Sequence, residues 1–310
     1  MPNPRAITLR QLRTLAAIED CGSLSHAAEA LGLTPPAIHS QLKSLEDNIG
    51  SQLVIRGRNA PARLTGDGRA LAATLARFDD TLEHALRQIG ARRRGKAGVV
   101  TLGVVSIAKY FMPQLVARLQ TAFPRIEVDL KVGNRDAMIA MLRGQNVDLV
   151  IMGRPPRDPP VTARVLCPHP HVIIAAPDHP LAGRHGISAS DLLRETFLTR
   201  EPGSGTRILM SRYLDRIGEG QPYRTREMGS NETIKQAVIA GLGIALISGH
   251  TVREELASGR LALIPFSGLP IMRSWYLMHH AEKVPQQAAE TVRSFLQAEI
   301  SGVVAPDHGE

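Results

Sequence analysis

Three groups of polar residues have types and spacings that could form a metal, catalytic or binding site. They are a set of histidines, a serine between two glycines, and one face of a short helix. His169, His171, His179 and His185 are close in sequence. Their spacing does not set zinc ligands on one helical face, and prolines interrupt them. We therefore expect no metal site among them.

Ser204 stands between Gly203 and Gly205. A hydrolase nucleophile on a strand-to-helix turn instead needs the pattern Gly-x-Ser-x-Gly, so hydrolase chemistry is unsupported. With no metal-ligand spacing either, we expect no enzyme and no cofactor. The backbone N–H groups of this loop could hold an anion, with Arg200 and Arg207 as nearby cations. A turn without any ligand is the alternative.

The third group is the polar face of a helix that is predicted to begin at Pro35. Its buried stripe repeats at intervals of 4, 3 and 4: Ile38, Leu42, Leu45 and Ile49. The opposite face is small, polar and basic: Pro36, His39, Ser40 and Lys43. No carboxylate follows Pro35 until Glu46, and such a face suits a DNA groove.

Two helices are predicted ahead of this one. Residues 8 to 20 form an amphipathic helix that Thr8 caps, and a second, short helix ends at the tight bend of Gly32. Thr34 has the residue type of an N-cap, and Pro35 suits the first helical turn. Together these elements predict a helix-turn-helix.

Residues 27 to 46 resemble the signature of the LysR-type transcriptional regulators, Ala-Ala-x-x-Leu-x-x-Thr-Gln-Pro-Ala-Val-Ser-x-Gln-Ile-x-x-Leu-Glu. The sequence departs from it at Pro35, His39 and Ser40, which face the groove in the family, so an operator sequence cannot be carried over. The resemblance implies a winged helix-turn-helix that binds a double-stranded DNA operator; a helical hairpin without a DNA role is the alternative. The DNA contacts expected on the helices are Ser23, Thr34, Pro35, Pro36, His39, Ser40 and Lys43.

Residues 53 to 64 carry turn residues between two apolar ends, as a short β-wing would. Arg56, Arg58 and Arg63 lie in a span, 48 to 66, that contains no Asp or Glu. We expect these arginines to contact DNA phosphates, which position a domain without reading sequence. A solvated basic loop is the alternative.

From residue 67 to residue 89 apolar residues repeat at intervals of 4, 3, 4, 3 and 4: Leu71, Leu75, Phe78, Leu82, Ala85 and Ile89. This heptad seam predicts a linker helix that dimerises, because one seam needs a second helix to bury it. Packing within its own chain is the alternative. The LysR resemblance implies a homodimer and, beyond it, a homotetramer.

After a hinge near residues 92 to 95 the pattern changes to alternating strands and helices. The predicted strands are 99–105, 126–132 and 147–152, and the predicted helices between them are 106–122 and 135–143. These βαβ units imply a mostly parallel sheet in an α/β fold. A second set begins with a strand at 171–176 and ends with a helix at 284–300.

The resemblance implies a periplasmic-binding-protein-like effector domain of two subdomains, between which the chain crosses twice. The expected limits are a DNA-binding domain at 1–66, a linker helix and hinge at 67–95, an effector domain at 96–303 and a tail at 304–310. Within the effector domain, subdomain 1 covers about 96–168 and 271–303, and subdomain 2 covers about 169–270.

Ligands of open α/β sheets bind beyond the carboxyl ends of the strands, where helix N-termini present free N–H groups. Four predicted loops would meet at such a crevice: 106–109, 133–135, 200–207 and 229–233. Their basic residues favour a small anionic metabolite. The alternative is that Lys109, Arg135 and Arg154 form surface pairs with Glu127, Asp136 and Asp158.

Three stretches, 103–111, 200–207 and 228–244, resemble the CbbR-type members of the family, which activate Calvin-cycle carbon-fixation operons. This resemblance implies a phosphorylated sugar, another phosphometabolite or NADPH as effector, and RNA polymerase as a partner. A regulator of another regulon, such as sulfur assimilation, and a cytoplasmic solute-binding protein are the alternatives. With the basic cleft residues included, the expected effector site comprises Ser106, Lys109, Asn134, Arg135, Arg154, Arg200, Glu201, Gly203, Ser204, Gly205, Thr206, Arg207, Asn231, Glu232 and Thr233.

Composition agrees with this organisation. The 310 residues suffice for two or three units, and a net charge of +8 favours a polyanionic partner. Cys21 and Cys167 are too few for a disulfide framework, so we expect both to be reduced. Since the sequence has neither a signal core nor an apolar run of about 18 residues, we expect a cytoplasmic protein without membrane contact.

Overall fold

The computed structural model describes residues 3–55, 61–93 and 96–304. The chain divides into two compact units, one that ends at Leu86 and one that begins at Arg87. This boundary lies inside a single helix, Gly66–Arg93. The domain limits predicted at residues 66 and 95 instead fall near the two ends of that helix.

In its described part, the first unit contains three short helices, a two-stranded hairpin and the start of the long helix. After a 3-10 turn at Pro4–Ala6, its elements are α1 (Leu9–Cys21), α2 (Leu24–Ala30), α3 (Pro35–Ile49), β1 (Val54–Ile55), β2 (Arg63–Leu64) and α4 (Gly66–Arg93). Strands β1 and β2 pair antiparallel. The predicted winged helix-turn-helix is confirmed.

Local sequence explains where these helices begin. Thr8 and Gln11 form a capping box at the start of α1, and the Ser23 hydroxyl accepts a hydrogen bond from the backbone N–H of His26 at 3.1 Å. Thr34 occupies the N-cap position of α3, but within the described residues its side chain makes no capping hydrogen bond. The two prolines that follow Thr34 instead remove donors that would lack partners.

An apolar core joins the helices of the first unit to its hairpin. Its most deeply buried members are Leu15, Ile18, Ala27, Ala28, Ile38, Leu42, Leu45, Leu53, Val54 and Leu64. Ile49, the last residue of the stripe predicted on α3, is half-buried. The periodicity of α3 therefore marks its buried face correctly.

The seam predicted on α4 lies in two environments. Leu71 is half-buried and Leu75 is 5% exposed, because both pack in the core of the first unit. The later seam residues are exposed: Phe78, Leu82, Ala85 and Ile89. The start of the seam thus packs within its own chain, as the alternative interpretation required, and the rest lies at the surface of the described chain.

The second unit alternates strands and helices. Its elements are β3 (Gly98–Val105), α5 (Met112–Ala122), β4 (Ile126–Gly133), α6 (Arg135–Arg143), β5 (Leu149–Met152), β6 (Val161–Ala175), α7 (Ala189–Leu193), β7 (Thr196–Thr199), α8 (Gly205–Ile217), β8 (Arg224–Glu227), α9 (Asn231–Ile239), β9 (Ala245–Ser248), α10 (Arg253–Ala257), β10 (Ala262–Leu263), β11 (Ile271–His280) and α11 (Gln287–Val304). Two 3-10 turns, Ser106–Tyr110 and Gly249–Thr251, follow β3 and β9.

Within the described residues, the main sheet has seven strands in the order β10-β6-β11-β5-β3-β4, with β9 also paired to β6. Strand β3 pairs parallel with β4 and β5, whereas every described pairing of β6 and β11 is antiparallel. The prediction of a mostly parallel sheet was therefore wrong. The reason is that β6 and β11 are long return strands and not parts of βαβ units.

Strand β6 begins at Val161, ten residues before the strand predicted at 171–176. Pro168 and Pro170 concealed its first part, since proline cannot donate to a strand ladder. Both prolines lie where β6 pairs, among the described strands, only with β11, and pairing with β9 begins at His171. The missing N–H groups are tolerated at such one-sided positions.

The single helix predicted at 106–122 is also wrong. The chain forms the 3-10 turn Ser106–Tyr110, and α5 starts only at Met112. Pro113 is the cause, because proline inside a helix removes one backbone hydrogen bond and clashes with the preceding turn. Placed at the start of α5, the same residue causes neither loss.

Each part of the second unit has its own core. The last helix, α11, packs Val292, Leu296 and Ile300 into the core that covers β3 and β5, and β11 pairs with β5. The last strand and the last helix therefore pack with β3 and β5. In subdomain 2, consecutive residues Phe197 and Leu198 belong to separate cores, as expected for a strand with helices on both faces.

Gly68→Ala is expected to destabilise the first unit, although alanine normally favours a helix interior over glycine by about 1 kcal/mol. A Cβ at residue 68 would lie 2.3 Å from the backbone oxygen of Leu53, so the start of α4 would have to move away from the residue that precedes β1. We expect a net loss of about 1–3 kcal/mol in the free energy of unfolding.

Gly66→Ala is the matched control, because its Cβ would meet nothing within 4 Å in the described structure. Urea unfolding followed by circular dichroism measures both units, whereas fluorescence of the single tryptophan, Trp275, reports the second unit. Gly68→Ala should change the unfolding curve followed by circular dichroism but not the curve followed by Trp275 fluorescence. Equal stability of the two variants would contradict the prediction.

Candidate functional site

The surface of α3 presents the face predicted for DNA. The exposed residues are Thr34, Pro35, Pro36, His39, Ser40 and Lys43, and Ser23 at the start of α2 is half-buried. The first carboxylate of α3, Glu46, accepts hydrogen bonds from the backbone N–H groups of Leu53 and Val54 at 2.8 and 3.3 Å. Its negative charge therefore braces the wing.

Two hydrogen bonds from α1 fix the rotation of α3. The Thr14 hydroxyl, on a fully buried residue, donates to Gln41 Oε1 at 2.7 Å, and Gln11 Nε2 donates to the Ser44 hydroxyl at 3.2 Å. The sequence interpretation assigned no role to these residues. Their signal was a glutamine and a threonine at helical spacing beside the apolar stripe of α1.

The wing is described only in part. Arg63 on β2 is exposed. Arg56 and Arg58, the other predicted phosphate contacts, lie outside the described residues.

A cavity of about 530 Å³ lies in the second unit, between the loops that follow β3, β4, β5 and β7. It contains eight of the predicted effector residues: Ser106, Asn134, Arg135, Arg154, Arg200, Ser204, Gly205 and Thr206. The first turn of α8 lines this cavity, so the expected loop of free N–H groups is a helix N-terminus whose N-cap is Ser204. Helix N-termini favour anions.

Arg200 is the central cation of the cavity and is only 4% exposed. Its guanidinium donates to Glu201 at 2.7 and 2.9 Å, to Asn231 Oδ1 at 2.7 Å and to the Ser106 hydroxyl at 3.2 Å. Asn134 Nδ2 adds a longer contact to Glu201 at 3.4 Å. One buried charge therefore connects loops from both subdomains.

The other cations of the cavity are poorly neutralised. Its described lining includes six arginines but only two aspartates, and Asp158 is paired with Arg143, outside the lining, at 2.6 Å. Burial lowers the pKa of Arg135; Asp136 opposes this effect, and Arg154 and Arg212 lower the pKa further. An anion in the cavity would relieve this repulsion.

Three predicted effector residues hold the wall next to the cavity. The Gly203 carbonyl accepts a hydrogen bond from the Asp136 N–H at 3.3 Å, and Gly203 has a φ of +83°, which glycine adopts readily. Arg207 donates to the Arg200 carbonyl at 3.0 Å and to Glu227 at 2.5 Å. Gly203, Arg207 and Glu201 therefore stabilise the loop beside the cavity, but they are not among its lining residues.

Four further predicted residues, Lys109, Asn231, Glu232 and Thr233, are likewise outside the lining. Lys109 lies 3.8 Å from Glu232, so the alternative pairing with Glu127 is not the one found. Glu232 also accepts a hydrogen bond from the Tyr110 hydroxyl and lies 3.2 Å from Lys235. Asn231 and Thr233 belong to the first turn of α9, where the Thr233 N–H donates to the Ser230 hydroxyl at 3.1 Å.

The sequence interpretation missed several lining residues: Arg157, His169, His171, Arg212 and Arg273. His169 pairs directly with Arg273 across β6 and β11. The alternation His169-Pro170-His171 sets both histidines on one face of a strand, but the prolines concealed that strand. If β6 had been predicted from Val161, this alternation would have indicated that His169 and His171 lie on one face of the sheet.

The histidines sit in an aromatic cluster. The His169 ring stacks on Trp275, with centroids 4.0 Å apart, and on His250 at 5.6 Å. Trp275 Nε1 donates to His250 Nδ1 at 3.2 Å. Burial lowers the pKa of His171 and of His250 to about 4, and it lowers the pKa of His169 as well, so all three rings are neutral at pH 7.

The other two histidines considered for metal binding lie elsewhere. His179 pairs with Glu195 at 3.4 Å, and His185 is exposed. Among the described residues no group of three or more His, Cys, Asp or Glu could hold a metal ion. Across the same ranges, no helix is long and apolar enough to cross a membrane.

Two family models match this chain. Residues 9–69 match the bacterial regulatory helix-turn-helix protein of the lysR family, and residues 93–301 match the LysR substrate binding domain. The HTH-type transcriptional regulator CbbR of Cereibacter sphaeroides is 48% identical over 97% of each chain. The RuBisCO operon transcriptional regulator of Allochromatium vinosum is 38% identical, over 95% of this chain and 97% of that protein.

A solved structure provides a comparison for the second unit. The regulatory domain of CcmR from Synechocystis PCC6803, in complex with 2-PG, is 36% identical with a TM-score of 0.61. The match covers 64% of this chain and 96% of that domain. A protein with a similar domain therefore forms a complex with a small anion.

His250→Gln is expected to make stability less dependent on pH between about 6.5 and 4. In the folded protein the pKa of His250 lies below its ordinary value of 6.5, so the unfolded chain takes up a proton first as the pH falls. The contribution of neutral, buried His250 to the free energy of unfolding is therefore fully present above pH 6.5 and is lost as the pH falls towards 4. Glutamine keeps an acceptor for Trp275 but removes this titration, so the slope should decrease by at most one proton.

Urea unfolding followed by Trp275 fluorescence at pH 7, 6, 5 and 4.5 measures this slope. His185→Gln, on an exposed loop, is the control for loss of a histidine as such. An unchanged slope in His250→Gln would show that His250 is not a source of the pH dependence.

Proposed function

This chain belongs to the LysR family of bacterial transcriptional regulators, and from that premise we propose that it regulates carbon-fixation genes in response to a small anionic metabolite. It would bind a double-stranded DNA operator through the exposed face of α3. The observation that carries this proposal is a pair of sites in one chain: a DNA-binding unit whose recognition face lacks a carboxylate, and a second unit with an arginine-rich cavity.

At the DNA, Lys43 and the wing arginine Arg63 would contact phosphates, and His39 and Ser40 would face base edges in the major groove. All four side chains are exposed. The bonds from Thr14 and Gln11 support this assignment, since they hold α3 at one rotation. A fixed rotation is needed for reproducible base contacts.

We propose that the exposed part of the α4 seam forms a homodimer interface. Phe78 is 46% exposed, and Leu82 and Ile89 are exposed too, although each is apolar. A second copy of the helix would bury them. Two recognition helices would then meet half-sites about one helical turn apart, and pairing of dimers would give a tetramer.

The effector would occupy the cavity of the second unit. The surplus of arginines supports an anion, and the complex of CcmR with 2-PG supports a phosphorylated one. We therefore propose a phosphometabolite, with sugar phosphates and NADPH as further candidates. Ser106 and Thr206 are the side chains best placed to donate to its phosphate, beside the buried charge of Arg200.

The regulon is proposed from the relatives. CbbR of Cereibacter sphaeroides and the RuBisCO operon regulator of Allochromatium vinosum align with nearly the whole chain. Ligand closure of the two subdomains would shift the dimer between two DNA-bound arrangements, and RNA polymerase would respond to that change. Differential affinity of the effector for the two arrangements is required.

Footprinting on DNA upstream of the carbon-fixation genes, with and without 2-phosphoglycolate, sugar phosphates and NADPH, tests the function. The wild-type footprint should change with one of them. Thr206→Val should raise the effector concentration needed by about fivefold through loss of one hydrogen bond, without altering the footprint of the free protein. Thr121→Val is the control, because this exposed hydroxyl bonds only to its own helix in the described structure.

A specific footprint that no phosphometabolite alters would reject the effector class and keep the DNA-binding role. No specific footprint would reject the proposed operator. A footprint only at genes of another pathway would reject the carbon-fixation regulon.

Lys43→Ala is expected to flatten the slope of log K against log salt by about 0.9, the value for one lost phosphate contact. Binding to operator and to unrelated DNA should weaken alike, because a phosphate contact carries no base information. Lys131→Ala, a lysine of the second unit, is the matched control. If the slopes of the two variants agree, Lys43 makes no phosphate contact.

A further inference from the structure

We propose a second anion subsite in the cavity, formed by Gly153, His169 and Arg273, which holds the far end of an effector with two anionic groups. We call it the His169 subsite. It rests on the proposed function, because it takes the cavity as the effector site. The first anionic group would lie at the loops that carry Ser106, Arg200 and Thr206, and the second on the floor of the cavity.

Three neighbouring strands build this floor. His169 on β6 pairs with Arg273 on β11, and β11 pairs in turn with β5, whose end is followed by Gly153. All three residues line the cavity. The first group of ligand contacts comes from loops and a helix N-terminus, so the two groups of contacts have separate structural supports.

The His169 ring has a nitrogen without a partner. The residue is 2% exposed, and its Nε2 lies 3.0 Å from the Ser248 hydroxyl, but its buried Nδ1 has no hydrogen-bond partner among the described residues. When Ser248 donates to Nε2, the neutral ring carries its proton on Nδ1. A buried donor left unpaired is costly, so this nitrogen is prepared for an acceptor.

Gly153 keeps the space beside that nitrogen open. A Cβ at residue 153 would lie 3.4 Å from His169 Nδ1, and the glycine leaves this position empty of side chain. Stacking on Trp275 explains where the His169 ring lies. It explains neither the unpaired nitrogen nor the open space next to it.

The charge at this end requires an anion. Arg273, on the floor of the cavity, has no ion pair within the described part of the chain, whereas Arg200 is already paired with Glu201. A single phosphate at the loops around Arg200 would leave Arg273 without a counter-charge. The volume of about 530 Å³ also exceeds what the five heavy atoms of one phosphate fill. The ligand class is therefore a metabolite with an anionic group at each end.

The test compares ligands that differ by one terminal phosphate. The full-length protein is titrated by calorimetry with alkane diol bisphosphates of two to five carbons and with the matching alkyl monophosphates. At the best length we expect the bisphosphate to bind the wild type at least about tenfold more tightly, as for one charge-assisted hydrogen bond with its ion pair.

Two variants remove the subsite in different ways without changing the charge of the cavity. Gly153→Ala puts a methyl group against Nδ1, and His169→Phe keeps a ring on Trp275 but removes both nitrogens. In each, the preference for the bisphosphate should fall at least about fivefold, with monophosphate affinity unchanged. Gly302→Ala, whose Cβ would meet nothing within 4 Å in the described structure, is the control.

A bisphosphate preference that persists in both variants, or that is absent from the wild type at every length, overturns the His169 subsite. Equal loss of both ligands in both variants also overturns it, because the residues would then act on the fold. In all these cases monophosphate binding to the wild type leaves the proposed function intact. If neither ligand binds the wild type, the proposed effector class fails and the subsite falls with it.

Discussion

The pairing of one buried guanidinium determines the arrangement of the second unit. Arg200 is almost removed from water, and a charge in that position is stable only if carboxylate and neutral acceptors surround it. Glu201 supplies the carboxylate, and Asn231 and Ser106 supply oxygens from α9 and from the turn after β3. The loops of both subdomains must therefore meet at one point, and the cavity is the space that remains beside it.

In the first unit the proposed functional surface is exposed to water, whereas Arg200 of the second unit is buried. Buried residues of α3 hold the helix, and the positions between them are free to carry small and basic side chains. The long helix α4 makes a similar division along its length. Leu75 belongs to the core of the first unit, whereas Phe78 and Leu82 leave it. The same heptad pattern therefore includes residues of the core and residues at the surface. Periodicity alone cannot distinguish the two.

Sequence patterns predicted the elements that local chemistry defines. Helix α6 has the predicted limits because Asn134 caps it, and α3 starts at Pro35 as predicted. The features that failed depend on partners far along the chain. Proline looked incompatible with β6 until the one-sided pairing with β11 was known. His169 and Arg273 are 104 positions apart in the sequence and meet only through that pairing, so this part of the cavity lining could not be inferred from the sequence.

The difference between the paired and unpaired arginines of the described cavity lining determines which residues can couple effector binding to a conformational change. An effector changes a conformational equilibrium only through different affinity for the two states. Arg200 already connects both subdomains through protein groups, so it contributes the same bonds with or without ligand. Arg135 differs, because burial and the nearby Arg154 and Arg212 lower its pKa, and an anion that enters the cavity would offset their repulsion. It follows that these incompletely neutralised arginines, and not the fully bonded one, are the source from which an anion could drive closure.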